Sequence, residues 1–164
     1  LRVPHTNILG ELNKGFSIAN DRLSRQRLPY AAGCIGVAIK AHEMAVEYAK
    51  IRETFGAPLS SRQAIQWMLV DNEIDIKQAR WVTLEGAHRA QAGDPFRKEA
   101  AMAKIVATEA GSRVVDRCMQ IHGGYGYTRE FPVERHLRDA KICEIGEGTS
   151  EVQRRVIAKH LLMG

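Results

Sequence analysis

The sequence predicts an all-α protein, an antiparallel bundle of four long helices and one shorter helix. Its apolar residues recur at spacings of three and four over long windows, which places them on one face of a helix. Short turns containing glycine or proline separate these windows. Long helices joined by short turns must bury their apolar faces against each other, so a helix bundle is the expected architecture.

The first two helices begin this bundle. Residues 15–52 contain one proline, Pro29, and carry an apolar stripe formed by Ile35, Ala38, Ala41, Ala45, Tyr48 and Ala49. This pattern predicts one long helix, which Pro29 can disturb. The turn TFGAPLS ends it, and a second helix is predicted over residues 62–92, with an apolar side formed by Ile65, Met68, Leu69, Ile76 and Ala79.

Three more helices are predicted after the break at AGD. Asp94 and Pro95 are typical of an N-cap and a first helical residue, so a third helix should start there and end at the glycine pair after His122. After the HGGYGYT loop, a shorter helix is predicted around residues 132–139 and a final helix over residues 150–162. The glycines of this loop are interpreted first as a helix stop, and the interpretation as a dinucleotide fingerprint is weakened because that motif needs a preceding strand and a following helix.

Composition and charge exclude some classes of protein and leave others open. Of 164 residues, 45% are hydrophobic and 26% are charged, as in an ordinary single globular domain. No run of about 18 apolar residues could span a bilayer, and the N-terminus lacks a signal-peptide pattern, so a soluble intracellular protein is expected. The formal net charge of +5 is compatible with polyphosphate ligands, with nucleic acid or with neither.

The cysteines and histidines predict no metal site. Cys34, Cys118 and Cys143 are far apart and form no CxxC pair, which indicates reduced thiols rather than a disulfide framework or a zinc cluster. The six histidines form no HExxH motif. Trp67 and Trp81 need no cofactor role and are expected in the core or in a subunit interface.

One carboxylate near the C-terminus is a candidate general base. The segment IGEGTSEVQRR, residues 145–155, places Glu147 between two glycines, so that a ligand can approach the backbone on either side. Thr149 or Ser150 can cap the helix that follows. The alternative interpretation is an acidic residue that only stabilises the N-terminus of this helix through the macrodipole.

Three segments together resemble the acyl-CoA dehydrogenases: RETFGAPLSSRQAI at 52–65, MQIHGGYGYTREFPVERHLRDAKI at 119–142 and IGEGTSEVQRRVIAKHL at 145–161. Their order and spacing are similar to those of that family, and the resemblance covers essentially the whole chain. It implies that residues 15–164 form the family's C-terminal helical domain and that residues 1–14 are a linker from a β domain. The chain therefore looks like the last part of a usual member and is expected to be nearly inactive by itself.

The resemblance implies a flavin enzyme that dehydrogenates an acyl-CoA thioester between its α and β carbons. Glu147 matches the base that takes the α-proton, while the β-hydrogen passes to FAD as a hydride. The residues implied to contact FAD, in part across a subunit boundary, are Arg52, Thr54, Phe55, Gln63, Gln120, Ile121, His122, Gly123, Gly124, Thr149 and Glu151. An arginine suits phosphate oxygens, although Arg52 alone could be a solvated cation at a helix end. Arg27 and Gly148 are implied to lie at the substrate, although Arg27 could equally be a surface cation.

Three positions depart from patterns of this family. Gln26 stands where one branch of the family places its base, which leaves Glu147 as the base. Gly146 stands where many members that act on straight chains carry Tyr, which predicts space beside the α-carbon for a branched, cyclic or bulky acyl group. Ser24 replaces an acidic residue common in the medium-chain branch, so the substrate contacts of that branch are not expected here.

The resemblance also implies partners and a location. Electron-transfer flavoprotein is the expected electron acceptor and a homodimer or homotetramer the expected assembly, without nucleic-acid or membrane binding. The expected location is the bacterial cytoplasm or, in a eukaryote, the mitochondrial matrix. Two alternatives stay open: an acyl-CoA oxidase on the same fold, in which oxygen reoxidises the flavin, and a non-catalytic helical module that binds flavin or nucleic acid.

Overall fold

The computed structural model describes residues 1–163, and within them the predicted all-α architecture is confirmed. The helices are α1 (Gly15–Ile51), α2 (Gln63–Ala92), α3 (Arg97–His122), α4 (Gly124–Tyr127), α5 (Val133–Ile145) and α6 (Ser150–Met163). The connection between α1 and α2 contains an antiparallel hairpin of β1 (Glu53–Thr54) and β2 (Ala57–Pro58). Gly164, the last residue of the predicted helical domain, lies outside the described residues.

Helix α3 lies at the centre of the bundle and packs against α1, α2, α5 and α6. Small residues dominate the buried faces of α1 and α3. The alanines no more than 3% exposed on these helices include Ala31, Ala38, Ala41, Ala45, Ala100, Ala103, Ala107 and Ala110. Because interaxial distance depends on the side chains at the contact, these alanines let the two helices pack closely.

Helix α1 continues through Pro29 and ends at Ile51. Proline removes one helical hydrogen bond, because it has no backbone N–H. Leu28 and Ala31, on either side of Pro29, are both buried in the core. The predicted stripe from Ile35 to Ala49 is also buried, so packing along the whole helix keeps it continuous.

The predicted start of the third helix at Asp94 and Pro95 is wrong, because α3 begins at Arg97. Asp94 belongs instead to the C-terminal cap of α2. Gly93 adopts a left-handed conformation with φ 80°, and the Asp94 N–H donates to the Arg89 carbonyl at 3.0 Å. This pattern is typical of a Schellman cap, so the AGD segment ends one helix rather than starting the next.

Two connections contain more helix than predicted. The glycine-rich loop after α3 includes the single turn α4, in which Gly126 is buried. The helix predicted over residues 132–139 continues as α5 to Ile145. Ala140 packs in the core, and the Lys104 side chain on α3 donates a hydrogen bond of 2.9 Å to the Glu144 carbonyl near the end of α5. Both contacts stabilise the additional turns.

Candidate active site

The turn between α5 and α6 holds Glu147 in an uncommon backbone conformation. Glu147 has φ 56° and Gly148 has φ 90°, both in the left-handed region. For a non-glycine residue this conformation costs about 1–3 kcal/mol and persists only where surrounding contacts enforce it. Strained positions of this kind cluster at functional sites, which makes Glu147 a candidate on structural grounds as well.

Three buried side chains hold the carbonyl groups of this turn. Gln153, which is fully buried, donates from Nε2 to the Glu147 carbonyl at 3.2 Å and to the Gly148 carbonyl at 2.9 Å. Arg27 lies 3.5 Å from the Glu147 carbonyl through Nε, and Lys104 holds the Glu144 carbonyl at 2.9 Å. These contacts come from α1, α3 and α6, so the core of the bundle fixes the conformation of the turn.

Several buried polar atoms around the turn have no hydrogen-bond partner among the described residues. They are Glu147 Oε2, Arg27 Nη1, Ser150 Oγ and Gln153 Oε1. Buried polar groups are ordinarily paired, so a cluster of unpaired ones indicates that a further molecule or segment completes the site. Arg27 is only 3% exposed and burial lowers its pKa, so the interpretation of Arg27 as a surface cation is wrong.

Two acidic residues lie near the N-terminus of α6: Glu147 precedes the helix and Glu151 is in its first turn. Thr149 caps the helix, because its Oγ1 accepts a hydrogen bond of 3.3 Å from the Val152 N–H. Glu151 lies in the first turn of α6, and hydrogen bonding with Thr149 lowers its pKa. Glu147 lies before the helix, so the macrodipole interpretation fits Glu151 better than Glu147.

The space predicted beside Gly146 is already occupied. A Cβ at position 146 would lie 2.7 Å from the Tyr30 hydroxyl oxygen. Tyr30 is half-buried and, with Gln26, lines a cavity of about 410 Å³ between α1, α3 and α5. The expectation of free space for a bulky group at this point is therefore wrong, because it considered position 146 without the helix that packs against it.

A second cluster lies around the end of α1 and the end of α3. Arg52, Thr54 and residues 120–124, which the sequence assigned to the cofactor, line one cavity of about 570 Å³. Tyr48 and Tyr125 also line this cavity, and the Arg52 guanidinium lies 5.7 Å from the centre of the Tyr125 ring. The structure thus brings together segments of the chain that are far apart in sequence.

His122 and the two glycines after it shape the wall of this cavity. His122 is 3% exposed, its ring stacks on Tyr48 at 4.5 Å, and Nδ1 lies 2.7 Å from the Cys118 carbonyl. Burial lowers the pKa of His122, which favours the neutral ring. Gly123 adopts φ 59° and ψ −137°, and the space beside the Cα atoms of Gly123 and Gly124 is open. A ligand can therefore approach the backbone at both positions.

The remaining residues that the sequence assigned to the cofactor lie outside this cavity. Phe55 is fully exposed at the tip of the hairpin, with φ 51°, and Gln63 is exposed at the first position of α2. Thr149 and Glu151 lie at the Glu147 turn instead. The assigned residues thus fall into two clusters and two exposed positions.

A third, polar cavity of about 730 Å³ lies beside the N-terminal part of α1 and the start of α3. Its lining includes the cationic residues Arg89, Arg97 and Lys98 and the acidic residues Asp21, Asp94 and Glu99, and Glu99 forms ion pairs with Arg89 and Lys98. Ser24, one turn before Arg27 on α1, lines the same cavity. The cavity is therefore close to the Glu147 turn along α1, and Arg97, whose side chain forms no ion pair among the described residues, is the cation that it offers to an anionic ligand.

Sequence reasoning missed Lys104, Gln153 and Tyr30. Lysine and glutamine in a helix ordinarily indicate a solvated face, yet the side chains of Lys104 and Gln153 are both fully buried. Their partners are backbone carbonyls, which leave no sequence pattern. Residues 1–163 contain no cluster of His, Cys, Asp and Glu suited to a metal ion and no helix long and apolar enough to cross a membrane.

A family model and the sequence relatives of this chain indicate the same family. Residues 13–162 match the family model described as acyl-CoA dehydrogenase, C-terminal domain. The short-chain specific acyl-CoA dehydrogenase of Bos taurus mitochondria is 48% identical over 161 residues, covering 98% of this chain and 39% of that protein.

Solved structures agree with the sequence relatives. The butyryl-CoA dehydrogenase of Megasphaera elsdenii superposes with a TM-score of 0.94 at 47% identity, covering 98% of this chain and 42% of that one. A chain in the structure of the electron transferring flavoprotein of Acidaminococcus fermentans gives a TM-score of 0.95 at 41% identity, covering 99% of this chain and 43% of that one. The chain spans about two fifths of the length of these relatives.

Proposed function

Because the chain belongs to the acyl-CoA dehydrogenase family and forms its C-terminal domain, we propose that it supplies the base and part of the FAD site of an acyl-CoA dehydrogenase. In this proposal the reaction of the full-length protein is the α,β-dehydrogenation of an acyl-CoA thioester. One observation carries the assignment of the base: Glu147 Oε2 is buried without a hydrogen-bond partner among the described residues, as is Nη1 of Arg27, whose Nε lies 3.5 Å from the Glu147 carbonyl. A carboxylate held in this way is available to a substrate proton.

In this proposal Glu147 removes the α-proton of the bound thioester. The backbone N–H of Glu147 polarises the thioester carbonyl, which makes the α C–H more acidic. Gln153 keeps the carboxylate in position by donating hydrogen bonds to the backbone carbonyls of Glu147 and Gly148. Bound FAD supplies the acceptor for the β-hydrogen, which leaves as a hydride.

The cavity around Arg52 and His122 is the proposed FAD contact. Its open glycine backbone and its cation suit the phosphate and adenosine portions of a dinucleotide. Phe55 is fully exposed at the hairpin tip and Gln63 is exposed at the first position of α2, and both would contact FAD across a subunit boundary. Thr149 and Glu151 would contact the flavin at the Glu147 turn.

The substrate is proposed to be an acyl-CoA with a short acyl chain. In the polar cavity, Arg97 would contact the phosphates of the CoA portion, because Arg89 and Lys98 already pair with Glu99. Arg27 contacts the Glu147 carbonyl and Gly148 follows Glu147 in the chain, so both would lie near the bound thioester. The mitochondrial relative from Bos taurus is named short-chain specific, which supports this substrate class.

A homodimer or homotetramer is proposed from the exposed face of α2. Apolar side chains 46–64% exposed recur there at helical spacing, namely Trp67, Val70, Ile74, Trp81 and Leu84. A contiguous apolar face of this kind marks an interaction surface. Trp67 and Trp81 are thus proposed interface residues rather than core residues.

Three further proposals follow from the family. Residues 1–14 are exposed throughout, as suits a linker from a β domain. Electron-transfer flavoprotein is the proposed acceptor of the electrons. The mitochondrial and bacterial origins of the relatives support the mitochondrial matrix or the bacterial cytoplasm as the location.

The proposal is tested by anaerobic flavin reduction in the full-length protein that carries this chain. Straight-chain acyl-CoA thioesters should bleach the bound flavin of the wild type. Glu147→Gln should retain flavin and bind the thioester, yet reduce flavin at least about 10²-fold more slowly, as expected for loss of a general base. Glu43→Gln, an exposed change on α1, is the matched control.

Three results would decide between the proposal and its alternatives. Unchanged reduction by Glu147→Gln would exclude the base role of Glu147. Absence of bleaching with every thioester would favour the non-catalytic module. Rapid reoxidation of the reduced flavin by air would favour the oxidase.

A further inference from the structure

Gly146, in the connection between α5 and α6, lies close to the side chain of Tyr30 on α1. A Cβ at position 146 would lie 2.7 Å from Tyr30 Oη and 3.6 Å from Tyr30 Cζ. The backbone of Gly146 has φ −64° and ψ 160°, which any residue adopts. The nearby Tyr30 hydroxyl therefore explains why position 146 has no side chain, whereas the backbone conformation there does not require glycine.

Tyr30 lines the apolar cavity of about 410 Å³ described above, one turn after Gln26 on α1. Beyond Tyr30, the cavity follows α1 along Gly33, Cys34 and Val37 and faces Gly111 on α3. Most of this lining is apolar, although Thr108 on α3 and Asp139 on α5 also border the cavity. An unbranched alkyl chain fits a largely apolar cavity of this volume.

The Tyr30 hydroxyl is neutral in this position. Burial raises the pKa of Tyr30 above its usual range, and hydrogen bonding with Cys143 raises it further. Tyr30 therefore acts through its size and presents a neutral hydroxyl, so an apolar acyl group beside it does not have to desolvate a charge.

We propose that Tyr30 determines substrate specificity, by filling the space beside Gly146 and thereby excluding acyl groups branched at the α-carbon. The preferred class is straight-chain acyl thioesters whose tail enters the cavity between α1, α3 and α5. This inference rests on the proposed function, because Glu147, the residue after Gly146, must meet the α-carbon in order to take its proton.

The first test compares two substrates in the full-length protein. The ratio of kcat/KM for the 2-methylpropanoyl thioester to that for the butanoyl thioester is measured in the wild type and in Tyr30→Ala. Tyr30→Ala should raise this ratio about 10-fold or more, since one methyl group in a pocket is worth a factor of about 10–200. Tyr127→Ala, the same change at an exposed tyrosine, should leave the ratio unchanged. A ratio that Tyr30→Ala does not raise would overturn the inference.

The second test is independent of activity. Tyr30→Phe removes Oη and leaves Cζ at the ordinary contact distance of 3.6 Å from a new Cβ. Gly146→Ala should therefore lower the melting temperature by about 2 °C or more in the wild type and by much less in Tyr30→Phe. Equal shifts in both backgrounds would show that Tyr30 does not fill this space.

The two tests separate the two proposals. If the wild type reduces its flavin with neither thioester, the proposed function fails and the specificity claim fails with it, whatever the melting temperatures. If the wild type is active and the ratio is insensitive to Tyr30→Ala, the proposed function stands and only the role of Tyr30 is refuted.

Discussion

The hydrogen bonds from Gln153 to the Glu147 turn can be tested by Gln153→Met. This change nearly keeps the size of the buried side chain and removes the amide that donates to the Glu147 and Gly148 carbonyls. A buried acceptor left without a partner costs about 1–3 kcal/mol. Arg27 Nε still lies 3.5 Å from the Glu147 carbonyl, so the loss of the donor to the Gly148 carbonyl predicts a decrease of about 1–3 kcal/mol in the free energy of unfolding. Urea unfolding of the full-length protein measures this decrease.

The same change should also affect the reaction. Without Gln153, Glu147 is free to leave its left-handed conformation, because that conformation is intrinsically unfavourable. A displacement of about 1 Å of a catalytic group lowers the rate by about 10²-fold. Stopped-flow flavin reduction by a straight-chain acyl thioester should therefore slow by roughly that factor.

Gln66→Met is the matched control for Gln153→Met. Gln66 also donates to a backbone carbonyl, that of Ser60 at 2.9 Å, yet it is exposed. Its replacement should change the free energy of unfolding by no more than about 0.5 kcal/mol. If Gln153→Met were as stable and as fast as Gln66→Met, the buried hydrogen bonds would not be what positions Glu147.

Two further predictions concern acid stability and assembly. Burial alone would raise the pKa of Asp75, but hydrogen bonds from Arg113 and Arg117 hold it below its ordinary value of 3.8. The stability from this carboxylate is present above that value and is lost as the pH falls, so the free energy of unfolding should drop more steeply between about pH 5 and pH 3 in the wild type than in Asp75→Asn; parallel slopes would contradict this role. Trp67→Glu combined with Trp81→Glu should reduce the assembly to smaller species in sedimentation velocity, because the change places two charges on the proposed apolar interface. An unchanged mass would remove α2 from the interface.

Much of the fold followed from local patterns in the sequence. The stripe of α1 and the five predicted helices depend on residues three and four positions apart, which a sequence displays directly. The start of α3 was misplaced because Asp94 and Pro95 satisfy a helix-start pattern. In the structure, Gly93 is left-handed and the segment forms the C-terminal cap of α2. Two competing local signals overlapped there, and hydrogen bonds to α2 decided the outcome.

The candidate site was only partly predictable. Glu147 between two glycines is a local sequence pattern that indicates a site. The family resemblance predicted the group of residues that line the cavity near His122. Lys104 and Gln153 could not be recognised, since their partners are carbonyl groups brought close only by packing of α3 and α6. The contact between Tyr30 and Gly146 also depends on tertiary packing, so the sequence indicated empty space where the structure has a hydroxyl.

The base role of Glu147 is tested most directly by exchange of the α-hydrogen with solvent deuterium. An acyl-CoA thioester with sulfur in place of the β-carbon cannot lose a β-hydride, so only the proton step remains. With the full-length wild type in D₂O, the α-hydrogens should exchange, and Glu147→Gln should slow this exchange by about 10²-fold or more while binding the same thioester. Equal exchange rates in the two proteins would contradict the assignment of Glu147 as the base.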